Sequence, residues 1–361
     1  MNILADILSA TVIFAVPLLL VALGGMFSER SGVINIALEG IMIIGALCSC
    51  LALRAINNGM TLIVPAEGID QSTWLLYLSG TGRCPLWLGK FYLAVTNSPQ
   101  LGMLIGILVA ALSGMVFSLL LAFAAVNLKA DQTIGGTALN MLAPAFAITL
   151  TWAVQGQGQT NIFLPTWTRI TQASLGIAVK DTFLQNFLFK SFYLTTPVAI
   201  LLFIVAIILL YKTRFGLRLR ACGEHPQAAD SVGINVYRMR YAGVMISGVL
   251  GGIGGLAYTL AAGSAFQSAV AGYGFLALAV MIFGNWKPLP ILGASLFFAL
   301  FKIIGSYSGS IPFLPKFENL ASSEYIYLML PYIVTMVVLI LTSRKSRAPK
   351  AEGVPYDKGQ R

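Results

Sequence analysis

Apolar stretches of membrane-crossing length alternate along this chain with shorter polar and often basic runs. The apolar stretches cover positions 7–27, 33–53, 101–126, 133–154, 191–211, 241–262, 275–286, 289–306 and 325–341. Most hold about twenty residues, the number an α-helix needs to cross the roughly 30 Å hydrocarbon core of a bilayer. The pattern predicts an all-α, polytopic transmembrane helical bundle of about nine or ten spans. The 275–286 stretch is short and bounded by glycine, and is expected to be a tilted or broken helix.

One transmembrane domain over 1–343 accounts for these spans, with no boundary for a second folded domain. Two long segments, 54–100 and 155–190, lie on the side opposite the basic loops. They and their edges carry Trp74, Trp87, Trp152 and Trp167, as expected of chain near a membrane interface. The amino terminus has no basic region and no small-residue cleavage site ahead of its long apolar run. It is read as a retained first span. The basic, polar tail 344–361 is expected to be disordered.

Composition supports this reading. Of 361 residues, 57% are apolar and 10% charged, against about 25% charged in soluble domains. The net charge of +10 does not indicate nucleic acid, because the basic residues sit in short loops beside apolar spans, where positive charge sets topology. Placing the 212–240 loop in the cytoplasm also places Arg30, Lys129, Lys287 and the tail there. About fifteen of the 23 Lys and Arg then lie inside and about eight outside, the bias of an inner-membrane protein. The four cysteines have no paired spacing, and one histidine, His225, cannot build a metal centre.

The 212–240 loop carries a local signal of its own. Pro226 opens a run of seven residues, 226–232, that Gly233 closes. Proline is favoured at the first helical position and glycine just past the last. A short helix is therefore expected there, flanked by Arg214, Arg218, Arg220, Arg238 and Arg240.

Few polar groups fall within the spans. Glu39 follows Asn35 by four residues, which places both on one helix face. A carboxylate at that depth costs a few kcal/mol unless it is partnered, protonated or facing water. Two readings stand: a pathway or gate residue, and an interhelical hydrogen bond. Thr133, Thr137 and Asn140 form a polar stripe at helical spacing, which either lines a path or joins helices. Lys302 sits near a span end, within snorkelling reach of the interface. Glycines at 248, 251, 252, 254 and 255 admit close helix packing, with a hinge as the alternative. No GxxxxGK[ST] phosphate loop occurs, so the chain has no ATPase motif of that kind.

Residues 27–46 (FSERSGVINIALEGIMIIGA), 131–143 (DQTIGGTALNMLA) and 220–235 (RACGEHPQAADSVGIN) resemble segments of permease subunits of bacterial ABC importers. The branch is that of the branched-chain amino acid and ribose permeases, in its simple-sugar and nucleoside subgroup. The likeness runs over about 7–341, except for the long 54–100 segment.

The resemblance implies a type II importer fold with a second permease subunit, the same or a related chain. It implies cytoplasmic ABC ATPase subunits that use ATP and Mg, with no cofactor on this chain. It also implies an external substrate-binding protein or lipoprotein, and a nucleoside or simple sugar as solute. In this reading Gly223, Glu224, His225, Pro226, Gln227, Ala228, Ala229, Asp230 and Gly233 form the helix that docks into the ATPase. Two rivals stand beside it. An ion-coupled secondary transporter rests on Glu39 and the short 275–286 stretch; a membrane-embedded enzyme lacks a constellation of acid, base or metal ligands.

Overall fold

A computed structural model of the chain describes residues 2–62, 98–170, 192–263, 265–307 and 348–358, with isolated positions between 329 and 340. Most of the expected span at 325–341, and all of 63–97 and 171–191, lie outside the described residues. The long helices are α1 (Asn2–Arg30), α2 (Leu38–Leu62), α3 (Pro99–Ala122) and α4 (Gln132–Gln155). After these come α5 (Thr195–Lys212), the short α6 (Arg214–Glu224) and α7 (Pro226–Ser231), then α8 (Val236–Ala262), α9 (Tyr273–Phe283) and α10 (Pro288–Ser306). Seven of these are long and apolar enough to cross a membrane, and α9 is a shorter apolar helix. The chain is a multi-pass, helical membrane protein.

Helix α8 is the centre of the bundle and packs against α1, α2 and α3. Its glycines make this possible. A methyl group on Gly252 would meet the Ala110 carbonyl of α3, one on Gly255 the Met42 carbonyl of α2, and one on Gly254 the Val21 side chain of α1. Without Cβ atoms, α8 lets three helices approach at backbone distance, and dispersion contacts rather than apolar transfer hold such interfaces in lipid. The glycine run thus serves close packing.

Three sequence expectations change. Helix α2 was expected from position 33 but starts at Leu38, and 33–37 are not helical. Side chains of α4 replace the missing helical bonds. Gln132 Oε1 accepts the Ile34 N–H at 2.7 Å, and Asn140 accepts the Gly40 N–H and donates to the Ile36 carbonyl, each at 2.8 Å. Buried backbone groups need partners, and amides from a neighbouring helix supply them.

The 212–240 loop is mostly helical. Thr213 caps α6 by accepting the Gly216 N–H, and α6 buries Gly216, Leu219, Cys222 and Gly223 at helical spacing while Arg214, Leu217 and Arg218 face out.

The tail, expected to be disordered, folds back over this end of the bundle at 348–358. Ala351 and Tyr356 are buried there. Its polar composition concealed two anchors spaced to reach the α6–α8 region.

Two small antiparallel strand pairs depart from a purely helical chain. β1 (Ile162–Phe163) pairs with β4 (Ala265–Phe266), and β2 (Arg169–Ile170) with β3 (Phe192–Tyr193). They tie connecting segments together at the end opposite α6 and α7.

Candidate functional site

The basic end converges on one junction. The last turn of α1 supplies Glu29 and Arg30. Trp286, in the tight turn between α9 and α10, donates its indole N–H to Glu29 Oε2 at 2.5 Å. Its carbonyl accepts Arg30 Nη2 at 3.0 Å. Arg30 Nη1 lies 3.9 Å from Glu224 Oε1 at the end of α6. Gly223 presses against the Arg30 carbonyl so closely that a Cβ has no space. Helices α1, α6, α9 and α10 therefore meet at Glu29, Arg30, Gly223, Glu224 and Trp286. Of these, the sequence indicated Gly223 and Glu224; the role of Trp286 had no local signal.

Helix α7 begins at Pro226, and His225 precedes it with a non-helical backbone, φ −144° and ψ 85°. The Gly233 N–H donates to the Asp230 carbonyl at 2.9 Å and the Ile234 N–H to the Ala229 carbonyl at 3.0 Å. Gly233 adopts φ +83°, where a side chain would be strained. The helix is one residue shorter than expected, because Val232 lies at its cap.

The two faces of α7 differ. Gln227, Ala228, Ser231 and Val232 are exposed, whereas Pro226 and Ala229 are buried and Asp230 is half-buried. Ala229, unlike its neighbour Ala228, packs with Cys222, Val236 and Tyr356. Neighbouring residues on a helix point about 100° apart, so the two alanines cannot share one narrow face. Burial pushes the Cys222 thiol up to about 11, so it stays a thiol at neutral pH.

The candidate pathway residues separate. Glu39 is held by backbone: its Oε1 accepts the Gly272 N–H at 2.8 Å and its Oε2 the Gly274 N–H at 2.6 Å. These groups form the start of α9, so Glu39 caps that helix and offsets its positive N-terminal dipole. Asn35 is not on a helical face with Glu39. It lies in the non-helical run before α2 and donates to Ser247 Oγ of α8 at 2.7 Å. Asn140 is engaged with 36–40, while Thr133 and Thr137 are exposed and the Thr137 hydroxyl donates to the Thr133 and Ile134 carbonyls of its own helix. The expected stripe is thus one interhelical lock and two outward hydroxyls.

Lys302 does not reach toward solvent. Its ammonium lies 4.1 Å from the Tyr273 ring centre, 5.6 Å from that of Phe14 and 5.8 Å from that of Tyr258. Aromatic faces attract such a cation. Beside this cage a cavity of about 230 Å³ opens among Asp6, Ser9, Phe14, Tyr193, Ser306 and Tyr307. The aromatic residues come from α1, α8 and α9, so sequence spacing gave no sign of the cage.

Comparison with known proteins fits this architecture. Residues 7–341 match the family described as branched-chain amino acid transport system, permease component. The chain is 40% identical to the guanosine ABC transporter permease protein NupQ of Bacillus subtilis, over 100% of this chain and 99% of that one. It is 39% identical to the nucleoside ABC transporter permease protein NupC of Lactococcus lactis, over 99% of each. A putative glucose ABC transporter permease protein of Haloferax volcanii, TsgC13, is 27% identical over 94% of this chain and 92% of that one. No solved structure matches the chain. A central glycine-rich helix, a capped half-length helix and a short helix presented at the basic end thus occur in a chain that belongs to the branched-chain amino acid transport system permease family, the multi-pass permease subunits of ABC transporters.

Proposed function

We propose that this chain forms the membrane path of an ATP-driven nucleoside importer in the bacterial inner membrane, with α6, α7 and the carboxyl tail in the cytoplasm. The observation that carries the reading is α7, a six-residue helix with one buried face and one open face of small and polar residues. It inserts that face into a groove of a cytoplasmic ATPase, which binds ATP and Mg. Arg30, bonded to Trp286 and paired with Glu224, links the docked helix to α1 and to the α9–α10 turn. A second permease chain, the same or related, completes the path, and an external binding protein delivers the solute.

Two features support a nucleoside over an ionic solute. Two relatives that align over 99% of their own length, at 40% and 39% identity, are named for guanosine and nucleosides. Glu39, a carboxylate within a span, is engaged by backbone N–H groups rather than left for a substrate cation.

The test is reconstitution in vesicles with the ATPase and binding protein, following labelled guanosine. Uptake is expected only with ATP and all subunits, with competition by other nucleosides and none by leucine. Uptake by this chain alone under a proton or sodium gradient would overturn the reading, and competition by glucose or leucine would overturn the nucleoside assignment.

A further inference from the structure

The segment 348–358 touches the end of α1, α6, α7 and α8 at the basic end of the bundle. The Ala351 N–H donates to the Gly223 carbonyl at 2.9 Å, which joins the tail to α6. Tyr356, 6% exposed, packs with Cys222 of α6, Ala229 of α7 and Val236 of α8, and its ring meets Tyr237 edge-on with centres 5.5 Å apart. Asp357 pairs with Lys129, between α3 and α4, at 2.8 Å. Glu352 lies against Glu29 at the end of α1. One stretch of tail therefore reaches α1, α6, α7, α8 and the connection between α3 and α4.

These contacts differ in kind from the rest of the basic end. α7 has six residues, too few to hold a helix without tertiary support. Its buried face rests on Ala229 and Pro226, and the largest side chain in the cluster with Ala229 is Tyr356. The Ala351 bond holds Gly223, the residue pressed against the Arg30 carbonyl. Tail, α7 and the end of α1 thus share one set of partners.

We infer that the carboxyl tail, through Tyr356 and Ala351, is a strap that fixes α7 to α6 and α1, so that movement of the docked helix is delivered to the membrane helices instead of being lost in local flexing. Tyr356 is a positioning residue in this scheme and touches neither solute nor nucleotide. The inference rests on the reading of α7 as the ATPase-docking helix. A strap of this kind affects the efficiency of coupling and leaves the docking face of α7 intact, which separates it from a residue of the docking surface itself.

The experiment uses the full complex in vesicles, with guanosine as the probe, and reads guanosine taken up per ATP hydrolysed. It also reads ATPase co-purification and hydrogen exchange of 226–233. Tyr356→Ala and Ala351→Pro, the latter removing the donor to Gly223, are expected to keep the ATPase bound. They should lower the uptake-to-hydrolysis ratio several-fold and speed exchange in 226–233. Tyr356→Phe keeps the ring and is expected to stay close to the native ratio, which a general loss of folding would not reproduce.

Ala228→Arg on the open face is the control for docking and should release the ATPase. If it does and the tail variants keep the native ratio and exchange, the strap is wrong. Should Ala228→Arg leave the ATPase bound, the docking reading fails instead, and exchange in 226–233 then decides the strap alone: unchanged rates in both tail variants reject it. If Tyr356→Ala does not accumulate, Ala351→Pro carries the same requirement by itself.

Discussion

Glu39 Oε2 accepts the N–H of Gly274 at 2.6 Å, and the backbone of Glu39 occupies the space that a side chain at 274 would need. The two residues, 235 positions apart, form both a helix cap and a backbone-to-backbone seat. Helix α9 has 11 residues, about 16 Å of helix, roughly half a bilayer core. Its other end reaches the Trp286–Arg30 junction, so its capped start lies within the bundle. A helix that starts inside the membrane exposes unmet N–H groups, which here meet a carboxylate.

Removing that carboxylate is expected to destabilise the fold. Glu39→Ala leaves the Gly272 and Gly274 N–H groups unmet, at about 1–3 kcal/mol each. Glu39→Gln retains one acceptor and should lose less. Gly274→Ala places a methyl group against the Glu39 backbone and should cost about 1–3 kcal/mol or more by overpacking. Thermal unfolding in detergent at one scan rate checks the order. A Glu39→Ala midpoint equal to the native one would mean that α9 does not need its cap.

The two alanines of α7 should respond differently to bulk. Ala228 faces out, and Ala228→Arg is expected to leave the permease stable while releasing the ATPase. Ala229 is 3% exposed, so Ala229→Glu forces a charge among Cys222, Val236 and Tyr356, at about 1–3 kcal/mol or more. Its solubilised form should unfold at lower temperature. Equal stability of the two variants would contradict the assignment of faces.

Tail attachment should depend on pH. Burial holds the Glu352 carboxyl above its ordinary range, with Glu29 beside it. A raised folded value means that stability is fully present below the unfolded carboxylate range and is lost as pH rises through the folded value. Protease cleavage within 348–358 is therefore expected to be slow while Glu352 is protonated and to quicken as pH rises through its raised value. Glu352→Gln should flatten the profile, and a profile unchanged by that substitution would reject Glu352 as the titrating group.

Arg240 is 1% exposed, and none of its three guanidinium nitrogens has a hydrogen-bond partner among the described residues. Burying an unpaired charge costs several kcal/mol, and an apolar replacement of similar size often stabilises by about 1–4 kcal/mol. Arg240→Met is expected to raise the unfolding midpoint of the isolated permease. A lowered midpoint would show that the guanidinium is held by favourable interactions.

The sequence alone determined the elements whose cause is local. Apolar runs long enough for a bilayer announced α1, α3, α4, α5, α8 and α10. Proline and glycine, placed where a helix accepts them, announced α7 within one residue. The short apolar run at 275–286, expected as a tilted or broken helix, announced the short α9, because length is a property of the run itself.

Tertiary structure decided everything that depends on partners distant in sequence. Helix α2 starts at Leu38 because Gln132 and Asn140 arrive from α4 to bond the preceding backbone. Glu39 is a cap because α9 begins beside it, and Lys302 lies in an aromatic cage because α1, α8 and α9 each contribute a ring. The tail is anchored because Tyr356 finds a site built by α6, α7 and α8. Its composition described only the chain in water, and hydrophobic spacing records that a residue is buried without recording against what.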